Sequence, residues 1–97
     1  FYRDVLGLDI AARYPGASFY GSGGYHHQLA GNIWNSRRAS KRPEGMAGLD
    51  AIEIVVRDAA DIASIAGRVE SAGLESIKNA NGLTVRDPWG TAITLKN

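Results

Sequence analysis

The chain has no cysteine. That excludes a disulfide framework and any thiolate metal site, and it leaves the redox compartment open. It also lacks an excess of one charge: eleven basic residues against ten acidic ones leave a net charge of +1. Such a balance does not fit a protein organised around the field of a nucleic acid. No apolar run approaches the roughly 20 residues that a helix needs to cross a bilayer. Phe1 opens the chain and no secretory signal pattern follows it. The expectations are a cytoplasmic location, no nucleic-acid partner, no membrane, and a sequence that begins inside a longer one. A nucleophile is missing too, because the serines fall in loops or on helix surfaces without a recognisable histidine–acid partner. Gly21-Ser22-Gly23-Gly24 is not a phosphate loop, lacking the lysine and the following helix.

What is present fits one small packed domain. Of 97 residues, 44% are apolar and 22% charged, which separates the chain from an apolar-poor, charge-rich disordered tail. A domain of this size has a thin core and calls for a partner surface.

The clearest element is a helix over Ala59 to Ala72. Ile62, Ile65, Ala66, Val69 and Ala72 recur at spacings of three and four and make one apolar stripe. Asp58 suits the N-cap, Asp61 the positive first turn and Gly73 the stop. Before the helix, alternation over Ala51 to Arg57 puts Ile52, Ile54 and Val56 on one face and Ala51, Glu53 and Val55 on the other. Strands are expected after it at Leu74 to Asn79, Leu83 to Arg86 and Ala92 to Lys96. The turns between them are Asn81-Gly82 and Asp87-Pro88-Trp89-Gly90. The second half therefore reads β-α-β-β-β.

The first half repeats this order with its start missing. Phe1 to Leu6 reads as the end of a helix stopped by Gly7. Strands are expected near Ile10 to Arg13, Ser18 to Gly21 and Tyr25 to Trp34. Gly7 and Gly73 differ by 66 positions, as do Gly24 and Gly90, and the same shift pairs Leu8 with Leu74 and Leu29 with Leu95. The counterpart of the strand at 51–57 would precede Phe1, so the first unit lacks its first strand and most of its helix. The expected organisation is an incomplete first unit over 1–35, a linker over 36–48 and a second unit over 49–97, forming one α+β domain. The linker carries Arg37, Arg38, Lys41 and Arg42 without interleaved aromatics, which reads as a solvated basic stretch rather than a phosphate or nucleic-acid patch.

Three motifs carry a resemblance. Phe1-Tyr2-Arg3-Asp4-Val5-Leu6-Gly7-Leu8 resembles the end of the first helix in the vicinal oxygen chelate superfamily of glyoxalases, extradiol dioxygenases and bleomycin-resistance proteins. Gly24-Tyr25-His26-His27 with Asn32-Ile33-Trp34-Asn35 is similar to the C-terminal module of two-module catechol 2,3-dioxygenase-like proteins. Val85-Arg86-Asp87-Pro88-Trp89-Gly90 is similar to the turn before the last strand of these modules. The resemblance implies paired βαβββ units forming a cupped mixed sheet around a divalent metal, iron or manganese. The metal serves as Lewis acid or activates dioxygen. It also implies where ligands would stand. One falls at Ala51, which cannot bind a metal. Another falls at Thr94, a poor replacement for a carboxylate. By the offset, the position used in glyoxalases falls at Gln28, where the branch often has a third consecutive histidine. The module thus resembles one whose own metal site has decayed, with no cofactor in this chain.

His26 is the metal candidate. On a strand, His26 and His27 would point to opposite faces, His26 with Gln28 and His27 toward the helix. A hydrogen-bonded role in fixing the sheet is the alternative. Glu53 shares the face of Ala51, as a displaced ligand, a base or a carboxylate paired with a nearby cation. Tyr25 and Trp34 stand as lining for a small aromatic ligand or as interface anchors. The candidate substrate-binding set is thus Tyr25, His26, Gln28, Trp34, Glu53 and Thr94. Three readings follow: a degenerate module completing the fold or pocket of a second module or homodimer partner; an active extradiol dioxygenase with ligands outside the standard positions; and a metal-free binding protein of bleomycin-resistance type. An unpaired strand edge in the first unit favours a partner.

Overall fold

A computed structural model describes residues 1–80 and 82–97. Asn81 of the expected Asn81-Gly82 turn lies outside the described residues. The described residues form seven strands and one helix: β1 (Asp9–Tyr14), β2 (Ala17–Gly21), β3 (Leu29–Asn32), β4 (Ala51–Val55), α1 (Ala59–Ser71), β5 (Ser76–Asn79), β6 (Gly82–Arg86) and β7 (Ala92–Lys96). They fall into two compact units, Phe1–Ala39 and Ser40–Asn97. The class is α+β, as expected, with a separate sheet in each unit.

The first unit is an antiparallel sheet in the order β1-β2-β3, with a register shift between Ile10 and Ala12. Ahead of it, residues 1–8 make a single turn with bonds of helical type. The Val5 N–H donates to the Phe1 carbonyl at 2.9 Å and the Gly7 N–H to the Arg3 carbonyl at 3.1 Å. Val5 and Leu6 are buried. Gly7 ends the turn at φ 85°, a backbone region that costs a glycine nothing. The helix end expected over Phe1 to Leu6 is present as this single turn of helical bonding.

The strand expected over Tyr25 to Trp34 shrinks to Leu29–Asn32. Gly23 and Gly24 adopt φ 65° and 79° and turn the chain off the ladder. The Gln28 N–H then closes the loop on the Tyr20 carbonyl at 2.8 Å. At the other end the Ile33 N–H bonds the Gly16 carbonyl at 2.9 Å, and a turn follows.

The second unit is a four-stranded sheet in the order β4-β7-β6-β5, with β4 parallel to β7 and the other pairs antiparallel. The parallel pair requires a crossover, and α1 supplies it. Asp58 caps α1, its carboxylate accepting the Asp61 N–H at 3.1 Å. At the other end the Leu74 N–H reaches the Val69 carbonyl at 3.0 Å and the Gly73 N–H the Glu70 carbonyl at 2.9 Å. That is a Schellman closure, with Gly73 at φ 71°. The apolar stripe is present, with Ile65 and Val69 buried and Ile62 and Ala66 half-buried; Ala72, at the C-cap, is exposed. α1 packs on β6 and β7. Val69, Leu83, Val85, Ile93 and Leu95 are almost wholly inaccessible and form the core. On β4, Ile52 and Ile54 are half-buried while Ala51, Glu53 and Val55 are exposed, which is the expected alternation.

The turn from β6 to β7 depends on Asp87, whose carboxylate Oδ1 accepts the N–H of Trp89 and that of Thr91, each at 2.9 Å. The residue is buried, so these bonds take the place of water. The 66-residue repeat is visible in the backbone: Gly7 and Gly73 both have positive φ, and so do Gly24 and Gly90 at 79° and 94°. The order β1-β2-β3 also matches β5-β6-β7.

Two outcomes are expected in denaturant titrations of the 97-residue chain. Leu83→Ala leaves a cavity in the core and lowers stability by about 2–5 kcal/mol. Asp87→Ala orphans two turn N–H groups and costs about 1–3 kcal/mol, whereas Asp87→Asn keeps the accepting oxygen and costs less.

Candidate functional site

In the second unit the helix packs on one face of the sheet, and the other face presents hydroxyl and charged side chains. Cross-strand pairing puts Ile77, Thr84, Thr94 and Glu53 in one row across all four strands: Ile77 pairs with Thr84, Thr84 with Thr94, and Thr94 with Glu53. Residues directly opposite share a face. The hydroxyls of Thr84 and Thr94 are 3.0 Å apart and hydrogen-bonded. Lys96 Nζ lies 3.0 Å from Glu53 Oε2, with both side chains partly exposed. An exposed pair of this kind contributes little to stability. Ile77 and Val55 are 68% and 70% exposed, so this face offers apolar contact beside its hydroxyls and charges. Arg86 is held by the Gly90 carbonyl, to which its Nη1 donates at 2.7 Å.

The first unit gathers a second set. The connection between β2 and β3 is clamped at both ends of its sequence, since the Ser22 N–H donates to Gln28 Oε1 at 2.8 Å while the Gln28 N–H reaches Tyr20. Gly21 lets the loop come close: a Cβ there would stand 2.5 Å from the Tyr25 carbonyl oxygen. Tyr25 stacks on His26, with ring centroids 4.3 Å apart. Phe19 meets the His27 ring edge to face at 5.0 Å. The two imidazoles turn toward one another, Nδ1 to Nδ1 at 3.0 Å. This corrects the expectation that His26 and His27 point to opposite faces of a strand, since both sit in a loop, where alternation does not apply. Tyr25 and His26 also line an open cleft of about 310 Å³ with Asp9, Ala11, Ala12 and Gly21.

Of the expected site residues, the structure brings Glu53 together with Thr94, and Tyr25 together with His26. Gln28 is engaged at both its amide oxygen and its backbone. Trp34 turns elsewhere within its unit, donating from Nε1 to the Pro15 carbonyl at 3.0 Å against Gly16. The pairing register also moves an equivalence. Thr94 pairs with Thr84, but the counterpart of Thr84, Ser18, pairs with Gly31 rather than with Gln28. The cause is the longer connection in the first unit. Thr84 and Lys96 join this face without a sequence motif to mark them. Alternation places them on the face of Thr94, but the hydroxyl pair and the ion pair need the register. The basic stretch is exposed throughout, and Arg42 folds it by donating to the Met46 and Leu49 carbonyls. Outside both sets, a hydrogen bond from Arg3 and then its charge hold the exposed Asp4 carboxyl below its usual range, and Asp4 in turn raises Arg3. Among the described residues no three His, Cys, Asp or Glu side chains gather to hold a metal ion, and no helix is long and apolar enough to cross a membrane.

A family profile described as the Glyoxalase/Bleomycin resistance protein/Dioxygenase superfamily matches residues 1–95. The chain belongs to this superfamily. It is 40% identical over 90 residues to a catechol-2,3-dioxygenase of Bacillus subtilis (strain 168), a match covering 91% of this chain and 32% of that protein. The chain thus spans about a third of the length of this relative. Among solved structures it is similar to a lactoylglutathione lyase from Agrobacterium tumefaciens, with a TM-score of 0.64 and 25% identity over 99% of this chain and 79% of that one. It shares its fold with a glyoxylase/bleomycin resistance protein/dioxygenase domain from Frankia sp. EAN1pec, with a TM-score of 0.66 and 20% identity over 98% and 81% of the two chains. The resemblance read from the helix end, the Tyr-His-His segment and the last turn is therefore a family membership.

The clamped loop is expected to give way on Gly21→Ala. The added methyl meets backbone, so the loop shifts, stability falls by about 1–3 kcal/mol, and the ring resonances of His26 and His27 in NMR spectra move. Unchanged His26 and His27 spectra would contradict the close approach at Gly21.

Proposed function

We propose that this chain is a module of a glyoxalase- or catechol 2,3-dioxygenase-like protein that completes the fold or substrate pocket of a partner module and holds no family metal itself. Ala51 and Thr94 carry the reading. They share the open face of the second sheet, and neither supplies the imidazole or carboxylate that the superfamily resemblance places there. Glu53 is a carboxylate on that face, but Lys96 engages it. The donors in place do not fit a divalent-metal site.

What the face does offer is a pocket wall. Thr84 and Thr94 present hydroxyls, Ile77 and Val55 present apolar surface, and the Glu53–Lys96 pair supplies charge. That combination suits a flat, partly polar ligand such as an aromatic ring with oxygen substituents. A second module or a second copy of the chain supplies the rest. The 32% share of the dioxygenase relative's length supports such a multi-module setting. The units are inferred to divide at 1–35 and 49–97, with the basic stretch 36–48 between them.

The test is iron and manganese content after dialysis against a chelator and reloading, measured on the longest natural form and on this chain alone, beside a catechol ring-cleavage assay. Metal and turnover in the long form, with neither in the chain, is the expected result. One iron or manganese retained per chain overturns the reading. Metal absent from both forms overturns the metal-bearing partner and leaves a binding protein.

A further inference from the structure

We propose that His26 and His27 form a two-imidazole clip for a single divalent late transition-metal ion, with copper(II) the best fit. This does not rest on the module reading, because neither residue stands at Ala51, Thr94 or Gln28, the positions tied to the superfamily's metal. The carrying observation is the 3.0 Å separation of the two Nδ1 atoms. With metal–nitrogen bonds of about 2.0–2.1 Å, that separation corresponds to an angle of about 94° at the ion. A tetrahedral ion would instead hold the nitrogens about 3.3 Å apart. A right-angled pair of nitrogen ligands is the cis edge of a tetragonal site, the geometry of copper(II) and nickel(II).

Preorganisation is the second argument. Two neighbouring histidines on a free loop would lose conformational freedom on binding, but here the loop is already closed. Gln28 ties it to Ser22 and Tyr20, Tyr25 stacks on one ring and Phe19 abuts the other. Both histidines are exposed, so an ion with its remaining waters has access. Without metal the short contact is a hydrogen bond in which one Nδ1–H donates to the other, bare Nδ1. On binding, the donor ring carries its proton on Nε2 instead, which frees both Nδ1 lone pairs with no net loss of a proton.

The experiment is a calorimetric titration of the full chain with copper(II) in a non-chelating buffer, with nickel(II), zinc(II) and manganese(II) in parallel. One copper(II) per chain is expected, with affinity falling in the order copper, nickel, manganese, and zinc below copper. His26→Ala and His27→Ala should each weaken copper binding at least as much as the roughly 10–100-fold that loss of an outer-shell partner costs. Both side chains are exposed, and circular dichroism checks that the variants keep their fold. Paramagnetic broadening by copper(II) in the unmutated chain reads the site independently, and should centre on Tyr25, His26 and His27. Retention of full affinity by either variant, broadening centred elsewhere such as the Phe1 amine, or the absence of stoichiometric binding overturns the clip. Because the module reading is tested with iron and manganese on chelator-treated protein, failure of one leaves the other standing.

Discussion

A single helix covers one face of one four-stranded sheet, and most of the second unit follows from that. α1 buries Ile65 and Val69 against β6 and β7, whose inward residues Leu83, Val85, Ile93 and Leu95 have almost no contact with water. Because strand side chains alternate, each of those buried residues obliges its neighbour to face the other way. Thr84 and Thr94 lie between core residues for that reason, and Glu53 lies between Ile52 and Ile54. The core and the candidate site are thus two faces of one ladder, and a shift of one residue in register would exchange them.

The loop of the first unit answers to a different constraint. Its backbone is held by a side-chain amide and by the Tyr20 and Ser22 carbonyls rather than by a ladder. Gln28 therefore does the closing that strand pairing does in the second unit, where Asp87 organises the turn. Two glycines at positive φ and one where a methyl would strike a carbonyl make the path accessible. The outcome is two adjacent imidazoles with Nδ1 atoms 3.0 Å apart, an approach that alternation along a strand works against.

Membership of the superfamily and the chemistry of this chain are separate matters, because function lives in particular side chains grafted on a shared fold. The helix end, the final turn and the repeat are fold features, and none of them settles a ligand set. On the open face of the second sheet Ala51 offers a methyl and Thr94 a hydroxyl.

Local chemistry made much of this legible in advance. The stripe of α1, its Asp58 cap and Gly73 stop, the alternation of β4 and the Asp87 turn are properties of neighbouring residues, so periodicity and spacing reveal them. The repeat was readable because turns need glycine at set places, and Gly7, Gly24, Gly73 and Gly90 stand there. What the sequence left open depends on residues distant along the chain meeting in a chosen register. β3 is shorter than the apolar and aromatic residues from Tyr25 to Trp34 suggest, because the Gln28 clamp closes a loop before it. The Thr84–Thr94 hydroxyl pair, the Glu53–Lys96 contact and the 3.0 Å approach of His26 to His27 likewise needed the tertiary structure. The sequence by itself determined which faces are apolar and where the chain turns, since those are set within a few bonds. Only the folded chain decided which polar groups meet, because loop closure and strand register are fixed by contacts that no local pattern encodes.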